Sequence, residues 1–163
     1  GIAPLTDHIR SADDDNPKGY YEFERAKKLK ERDAAWLPEA QGKAVKVIGA
    51  LLVELPSNYE YRVLFMRRNM SEILASQAKM LERRGEENNG DDATMASLFE
   101  KHIMQVESWM KSQSNLSYMD VDYNSMLTDP APQVEAINRF LGGELDTFGM
   151  MAVVDPELYR QRK

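Results

Sequence analysis

Apolar and polar positions along this chain keep two different periods. From Lys43 to Ile48 the order Lys-Ala-Val-Lys-Val-Ile alternates, which predicts a short strand. Ala50 to Leu55 is apolar but short, a turn of helix stopped at Pro56. Tyr61–Met66 is the clearest strand, and the nearly unbroken apolar run Val63–Met66 predicts a parallel strand covered on both faces. Leu116–Val121 is a third strand. Between and after these runs the period lengthens to that of a helix. Met70, Ile73, Leu74, Gln77 and Leu81 share one face, with Asn69 placed as N-cap, Glu72 at the capping-box position and Gly85 ending the run. Over Ala93–Gln113 the positions Met95, Leu98, Phe99, Ile103, Val106, Trp109 and Met110 form one apolar stripe. After Asp129-Pro130, a third helix turns Val134, Ile137, Phe140 and Leu141 inward and stops at Gly142-Gly143. Leu145–Val153 holds a shorter one.

Strands that alternate with helices imply an α/β fold, a parallel sheet with helical crossovers flanking it. The first forty residues are different. They are polar and irregular, with a turn-rich loop over Asp13–Gly19 and a short, highly charged helix over Glu22–Arg32. No internal repeat interrupts the pattern, and 163 residues suit a single domain over 1–163 with a real core.

Composition narrows the chemistry. With no cysteine there is neither a disulfide framework nor a thiolate metal site, and His8 and His102 stand too far apart in sequence to suggest a histidine metal centre. Asp13–Asp15 lacks the spaced oxygen ligands of a calcium loop. The longest apolar stretch, Val47–Val53, is too short to span a membrane, and no basic start precedes an apolar run, so the expectation is a cytoplasmic protein without a membrane partner. A net charge of −6 argues against non-specific binding to nucleic acid but leaves room for an anionic small ligand at a local basic pair.

Such a pair stands where ligands gather in open α/β sheets, at the carboxyl end of a strand. In Phe65-Met-Arg-Arg-Asn-Met-Ser-Glu-Ile-Leu-Ala-Ser76 a strand ends in two arginines and a capped helix begins. Guanidinium groups beside helix N-terminal N–H groups suit an anion. Ser76, seven residues after Asn69, returns to nearly the same helical face at about 100° per residue. The same residues also read as a cap, surface ion pairs and a small residue near the sheet.

The stretch resembles the 3′-phosphate-binding motif of sulfotransferases, Arg-Asn-Pro-x-Asp-x-x-x-Ser. Here it reads Arg68-Asn69-Met70-Ser71-Glu72-Ile73-Leu74-Ala75-Ser76, with methionine for proline and glutamate for aspartate. Val121-Asp-Tyr-Asn-Ser-Met-Leu-Thr-Asp-Pro130, continuing to Ile137-Asn-Arg-Phe-Leu-Gly142, is similar to the family's Tyr-Glu-Asp-Leu…Asp-Pro…Ile…Phe-Leu-Gly block. Asp15-Asn-Pro-Lys-Gly-Tyr-Tyr-Glu22 is similar to the segment after the first helix of bacterial sulfotransferase-like proteins. The resemblance implies a P-loop nucleoside triphosphate hydrolase-like fold and transfer of a sulfuryl group from 3′-phosphoadenosine 5′-phosphosulfate (PAPS) to an acceptor hydroxyl or amine. Arg68 and Ser76 would hold the 3′-phosphate, while Asn69 and Glu72 would shape the helix start. Family members use a histidine or glutamate to take the acceptor proton, which nominates Glu22 first and also Glu24 and His8. Lys46 would correspond to a strand lysine beside the transferred group, or else be an exposed alternation residue. His102 reads as a packed helix histidine. Trp36 either packs or lines an acceptor pocket, and Arg160, Arg162 and Lys163 read as a basic end near the nucleotide or a solvated terminus.

The family's first strand and the Gly/Ser/Thr-rich loop that cradles the 5′-phosphosulfate have no counterpart, for no Gly-x-x-x-x-Gly-Lys run occurs. The domain is therefore expected to be N-terminally incomplete and inactive alone, with an uncovered sheet edge that favours a homo-oligomer. The other readings are a non-catalytic remnant of the same fold and, less well matched, a nucleotide kinase of related architecture.

Overall fold

The computed structural model describes residues 1–13, 16–83, 85 and 91–158. Asp14 and Asp15 of the acidic triplet, 86–90 of the charged loop and the basic end Arg160, Arg162 and Lys163 lie outside the described residues. Contacts divide the chain into two compact units, Gly1–Glu60 and Tyr61–Lys163.

The first unit is held by short helical turns. Glu24–Glu31, the charged helix expected over Glu22–Arg32, is a 3-10 helix, and Gly49–Glu54 is a second one, packed against it. Three residues per turn bring Ala26 and Leu29 to one face, where both are buried, as are Leu51 and Leu52 of the second turn. The four-residue helix α1 (Leu37–Ala40) follows Trp36. Trp36 is 1% exposed, meets Phe23 edge to face at 5.4 Å and donates its Nε1–H to the Asp33 carbonyl, so it packs and lines no acceptor pocket.

The strand expected over Lys43–Ile48 is not formed. Its alternation survives, with Val45 and Val47 half-buried and Lys46 and Ile48 exposed, but the segment is joined only at one bridge, Pro4 with Ala44. Alternation reports which side faces inward; a strand also needs a neighbour for its backbone N–H and C=O groups, and the short Pro4 segment supplies a single rung.

The second unit carries the α/β pattern. Strands β1 (Tyr61–Arg67) and β2 (Leu116–Asp122) pair in parallel, from Tyr61 opposite Leu116 to Arg67 opposite Asp122. A parallel pair needs a long crossover, here α2 (Met70–Arg83) and α3 (Asp92–Ser112), which pack on each other. After β2 come α4 (Tyr123–Thr128), α5 (Pro130–Leu141) and α6 (Thr147–Ala152). Carboxylates cap three of these helices: Asp91 accepts from Thr94 N–H, Asp122 from Ser125 N–H and Asp146 from Gly149 N–H. Helix α5 begins at Pro130 and closes at Gly142, where φ is +118° and the N–H groups of Gly142 and Gly143 return to Arg139 and Asn138 carbonyls.

Helices α3, α4 and α5 pack on β2, where Val121 is fully buried against a core that includes Val106, Met110, Val134 and Ile137. Strand β1 is less covered than its apolar run predicts. Val63, Leu64 and Phe65 are half-buried and Met66 is 55% exposed. Apolar continuity signals burial only when a layer lies on each face, and these helices gather on the other strand. The α3 stripe is likewise narrower than its spacing, because Leu98 is exposed.

Candidate functional site

The carboxyl end of β1 leads within two residues into α2, and the two arginines there part company. Arg67 is already matched: its Nη2 lies 2.5 Å from Glu107 on α3, its Nε donates to Asp120 on β2 at 2.9 Å, and its guanidinium lies on the Phe65 ring. Burial opposes its charge, but the bonds to Asp120 and Glu107 more than offset that and hold its pKa up.

Arg68 is tethered differently. Its Nε donates to Glu72 Oε2 at 3.0 Å, its guanidinium sits over the Tyr123 ring at 4.9 Å, and its side chain is 25% exposed. Nε is the donor engaged in hydrogen bonding among the described residues, which leaves the Nη1/Nη2 edge as a two-pronged donor. Asn69 is the cap its sequence predicts: its Oδ1 accepts from Ser71 N–H and Oγ–H, and its carbonyl accepts from the N–H groups of Glu72 and Ile73. Glu72 is only 1% exposed, the buried charged residue of the core. Its Oε1 accepts from Asn124 Nδ2 at 2.8 Å, a bond between residues 52 apart in sequence that ties α2 to α4.

Ser76 is half-buried on α2, four residues beyond Glu72 and so on the same helical face, about 9 Å along the axis from Met70. No direct bond joins Arg68 to Ser76 among the described residues. Tyr123 and Asn124 are members of this cluster to which sequence reasoning assigned no role of their own. The signal was present, since both lie in the Tyr-Asn pair of the second motif, at the carboxyl end of β2.

The acceptor-side candidates lie in the first unit. Glu22 and Lys46 come together, with Nζ 3.5 Å from Oε1, but Glu22 is also held by Lys27 at 2.8 Å and approached by Arg10 at 3.8 Å. The bond from Lys27, then the charges of Lys27, Lys46 and Arg10, lower the Glu22 pKa against an opposing contribution from burial. That direction is the reverse of the tuning a general base gains from. A hollow of about 90 Å³ adjoins the pair, walled by Phe23, Ala26, Val47 and Leu51. Lys46 also donates to the Tyr20 carbonyl, and its side chain is more than half exposed. Glu24 shares Lys27 with Glu22, at 2.6 Å. His8 is exposed, in left-handed backbone at φ 55°, with its N–H on Thr6 Oγ1. The neighbouring Thr6 hydroxyl donates to the Glu22 carbonyl. His102 is half-buried on α3.

Among the described residues no group of three or more His, Cys, Asp or Glu could hold a metal ion, and no helix is long and apolar enough to cross a membrane.

A family model described as a sulfotransferase domain matches residues 47–157. The chain belongs to the sulfotransferase-domain family. A search of curated proteins and a search of solved structures give no match. Membership carries a sulfotransferase-like function with a nucleotide co-substrate and an acceptor. Arg68, Glu72, Ser76, Tyr123 and Asn124 all fall inside the matched residues, whereas His8, Glu22 and Lys46 precede them.

Proposed function

We propose that this chain serves sulfuryl transfer from PAPS to an acceptor hydroxyl or amine, and that Arg68 and Ser76 hold the 3′-phosphate of the nucleotide. The observation that carries the reading is the tethered Arg68 guanidinium, bonded to Glu72 through Nε. A guanidinium fixed through Nε, with Nη1 and Nη2 left over at the carboxyl end of a parallel strand, suits the two-pronged recognition of a phosphate. Ser76 adds a hydroxyl from the same helix. On the acceptor side the reading assigns Glu22, or else His8, to the acceptor proton and Lys46 to the transferred group. In the transfer, a bond forms from the acceptor oxygen or nitrogen to sulfur, the bond from sulfur to the phosphate oxygen breaks, and the acceptor proton passes to the base.

The sequence holds no Gly-x-x-x-x-Gly-Lys run for the 5′-phosphosulfate. In this reading the chain supplies the 3′-phosphate grip and works as a cytoplasmic homo-oligomer. A second reading, in which the chain grips a nucleotide 3′-phosphate and transfers nothing, makes the same claim of Arg68 and Ser76.

Titration calorimetry with adenosine 3′,5′-bisphosphate tests the shared claim. Micromolar binding is expected, with adenosine 5′-phosphate at least about tenfold weaker, as loss of a charge-assisted contact implies. Arg68→Ala and Ser76→Ala should each erase part of that preference. A wild-type chain that does not distinguish the two nucleotides overturns the reading. Assay of sulfuryl transfer from PAPS then separates the enzyme from the remnant.

A further inference from the structure

We infer that Glu72 is a positioning residue, held by Asn124, that fixes the Arg68 guanidinium in the orientation able to take a phosphate; the inference rests on the 3′-phosphate reading above. A capping acid belongs at the exposed mouth of a helix. Glu72 instead is 1% exposed, and its Oε2 accepts from Arg68 Nε and its Oε1 from Asn124 Nδ2.

A carboxylate taken this far out of water needs charge-assisted bonds, and in forming them it becomes a rigid anchor. The anchor matters because arginine has many rotamers. A free side chain must give up that freedom when it binds an anion, and one clamped beforehand gives up less. Among the described residues two contacts clamp Arg68 and a third holds the clamp. Glu72 takes the Nε edge, the Tyr123 ring covers a guanidinium face, and Asn124 keeps the Glu72 carboxylate from turning. Nε and the Nη1/Nη2 edge belong to one rigid plane, so fixing the first fixes where the second points.

Asn124 makes the device a product of the fold. It lies just beyond β2, as Arg68 lies just beyond β1, and the parallel register that sets Arg67 opposite Asp122 sets these two strand ends side by side. The grip is thus assembled across the sheet from both matched motifs.

The test uses the full chain, with adenosine 3′,5′-bisphosphate and adenosine 5′-phosphate as probes in titration calorimetry. Glu72→Gln keeps the shape of the side chain and removes its charge. It should weaken the bisphosphate about tenfold while leaving the monophosphate unchanged, the size of one lost charge-assisted hydrogen bond. Asn124→Ala keeps the carboxylate and removes the bond from Asn124 Nδ2 to its Oε1, and should shift the same preference in the same direction. In an Arg68→Lys background, which lacks the planar fork, Glu72→Gln should have no further effect. Equal weakening of both nucleotides marks a merely structural role and overturns the inference, as does bisphosphate affinity unchanged in both variants. Should Glu72→Gln fail to fold, Asn124→Ala alone decides. A wild-type chain with no preference for the bisphosphate instead overturns the parent reading.

Discussion

Glu22 and Glu72 carry the same carboxyl group into opposite settings. Glu22 lies among Lys27, Lys46 and Arg10, and the bond from Lys27 leads in holding its pKa below the ordinary 4.5. A carboxyl whose folded pKa is lowered stabilises the fold fully above its unfolded value, and loses that contribution as pH falls through the folded one. Glu22→Gln removes the titration. Thermal unfolding should therefore show wild type above the variant at pH 6, with the gap closing as pH falls below the ordinary 4.5. A gap that stays constant would assign the stabilisation to packing. Asp7, held down first by the Glu24 N–H, and Asp122, held down first by the Ser125 N–H, add slopes of the same sign, which is why the variant must be compared with wild type at each pH. At Glu72 the cost comes from burial. Arg68→Ala removes a cation bonded to that buried carboxylate, and should lower stability by about 2 kcal/mol in urea unfolding, discounted from the fully buried case because Arg68 is a quarter exposed. Joint replacement with Glu72→Leu should recover much of that loss, since the desolvated charge is then gone. Residue types nominated the right neighbourhood, but nothing in the run Arg67-Arg68 says which guanidinium is neutralised by Glu107 and Asp120. Those partners lie 40 or more residues away in sequence.

At the scale of elements, local chemistry was the dependable guide. The Asn69 cap, the proline that opens α5 and the glycine that closes it act within a few residues, so spacing along the chain is enough to see them. Gly142 shows how firm such a stop is. At φ +118° an alanine is strained whatever the room around it, and a Cβ there would also meet Arg62 Nη1 at 4.0 Å. Gly142→Ala should cost about 1–2 kcal/mol, read as a lower denaturant midpoint at unchanged slope. The Lys43–Ile48 run shows the limit of the same reasoning. Its alternation is real in the exposures, yet strand pairing depends on a neighbour that periodicity does not describe. The capping-box acid shows it again, for Glu72 occupies the expected position while its carboxylate reaches Arg68 and Asn124.

At the scale of the molecule, the family match runs over 47–157 and the second unit begins at Tyr61, so most of the matched residues build one compact body. That body shows a parallel sheet of two strands among the described residues, with Met66 exposed on β1. An apolar strand with an open edge invites a further strand. Sedimentation velocity should accordingly reveal a species of about twice the 18.7 kDa chain mass or more. A monomer over the whole concentration range would remove self-association from the proposed function. Glu22 and Lys46, by contrast, belong to the first unit and precede the match, and their pairing is a property of that unit alone.

The sequence by itself determined the α/β order, the capped starts and stops of the helices, and the strand-to-helix turn bearing Arg68 and Ser76. All of these arise from interactions that close within a turn or two of chain. Tertiary structure alone decided that Arg67 is neutralised by Glu107 and Asp120 while Arg68 bonds Glu72 through Nε, that Glu72 lies buried between Arg68 and Asn124, and that among the described residues the Lys43–Ile48 run finds no strand to pair with. Each of those outcomes turns on which distant groups share a small volume after folding, and desolvation there changes what the same side chain can do.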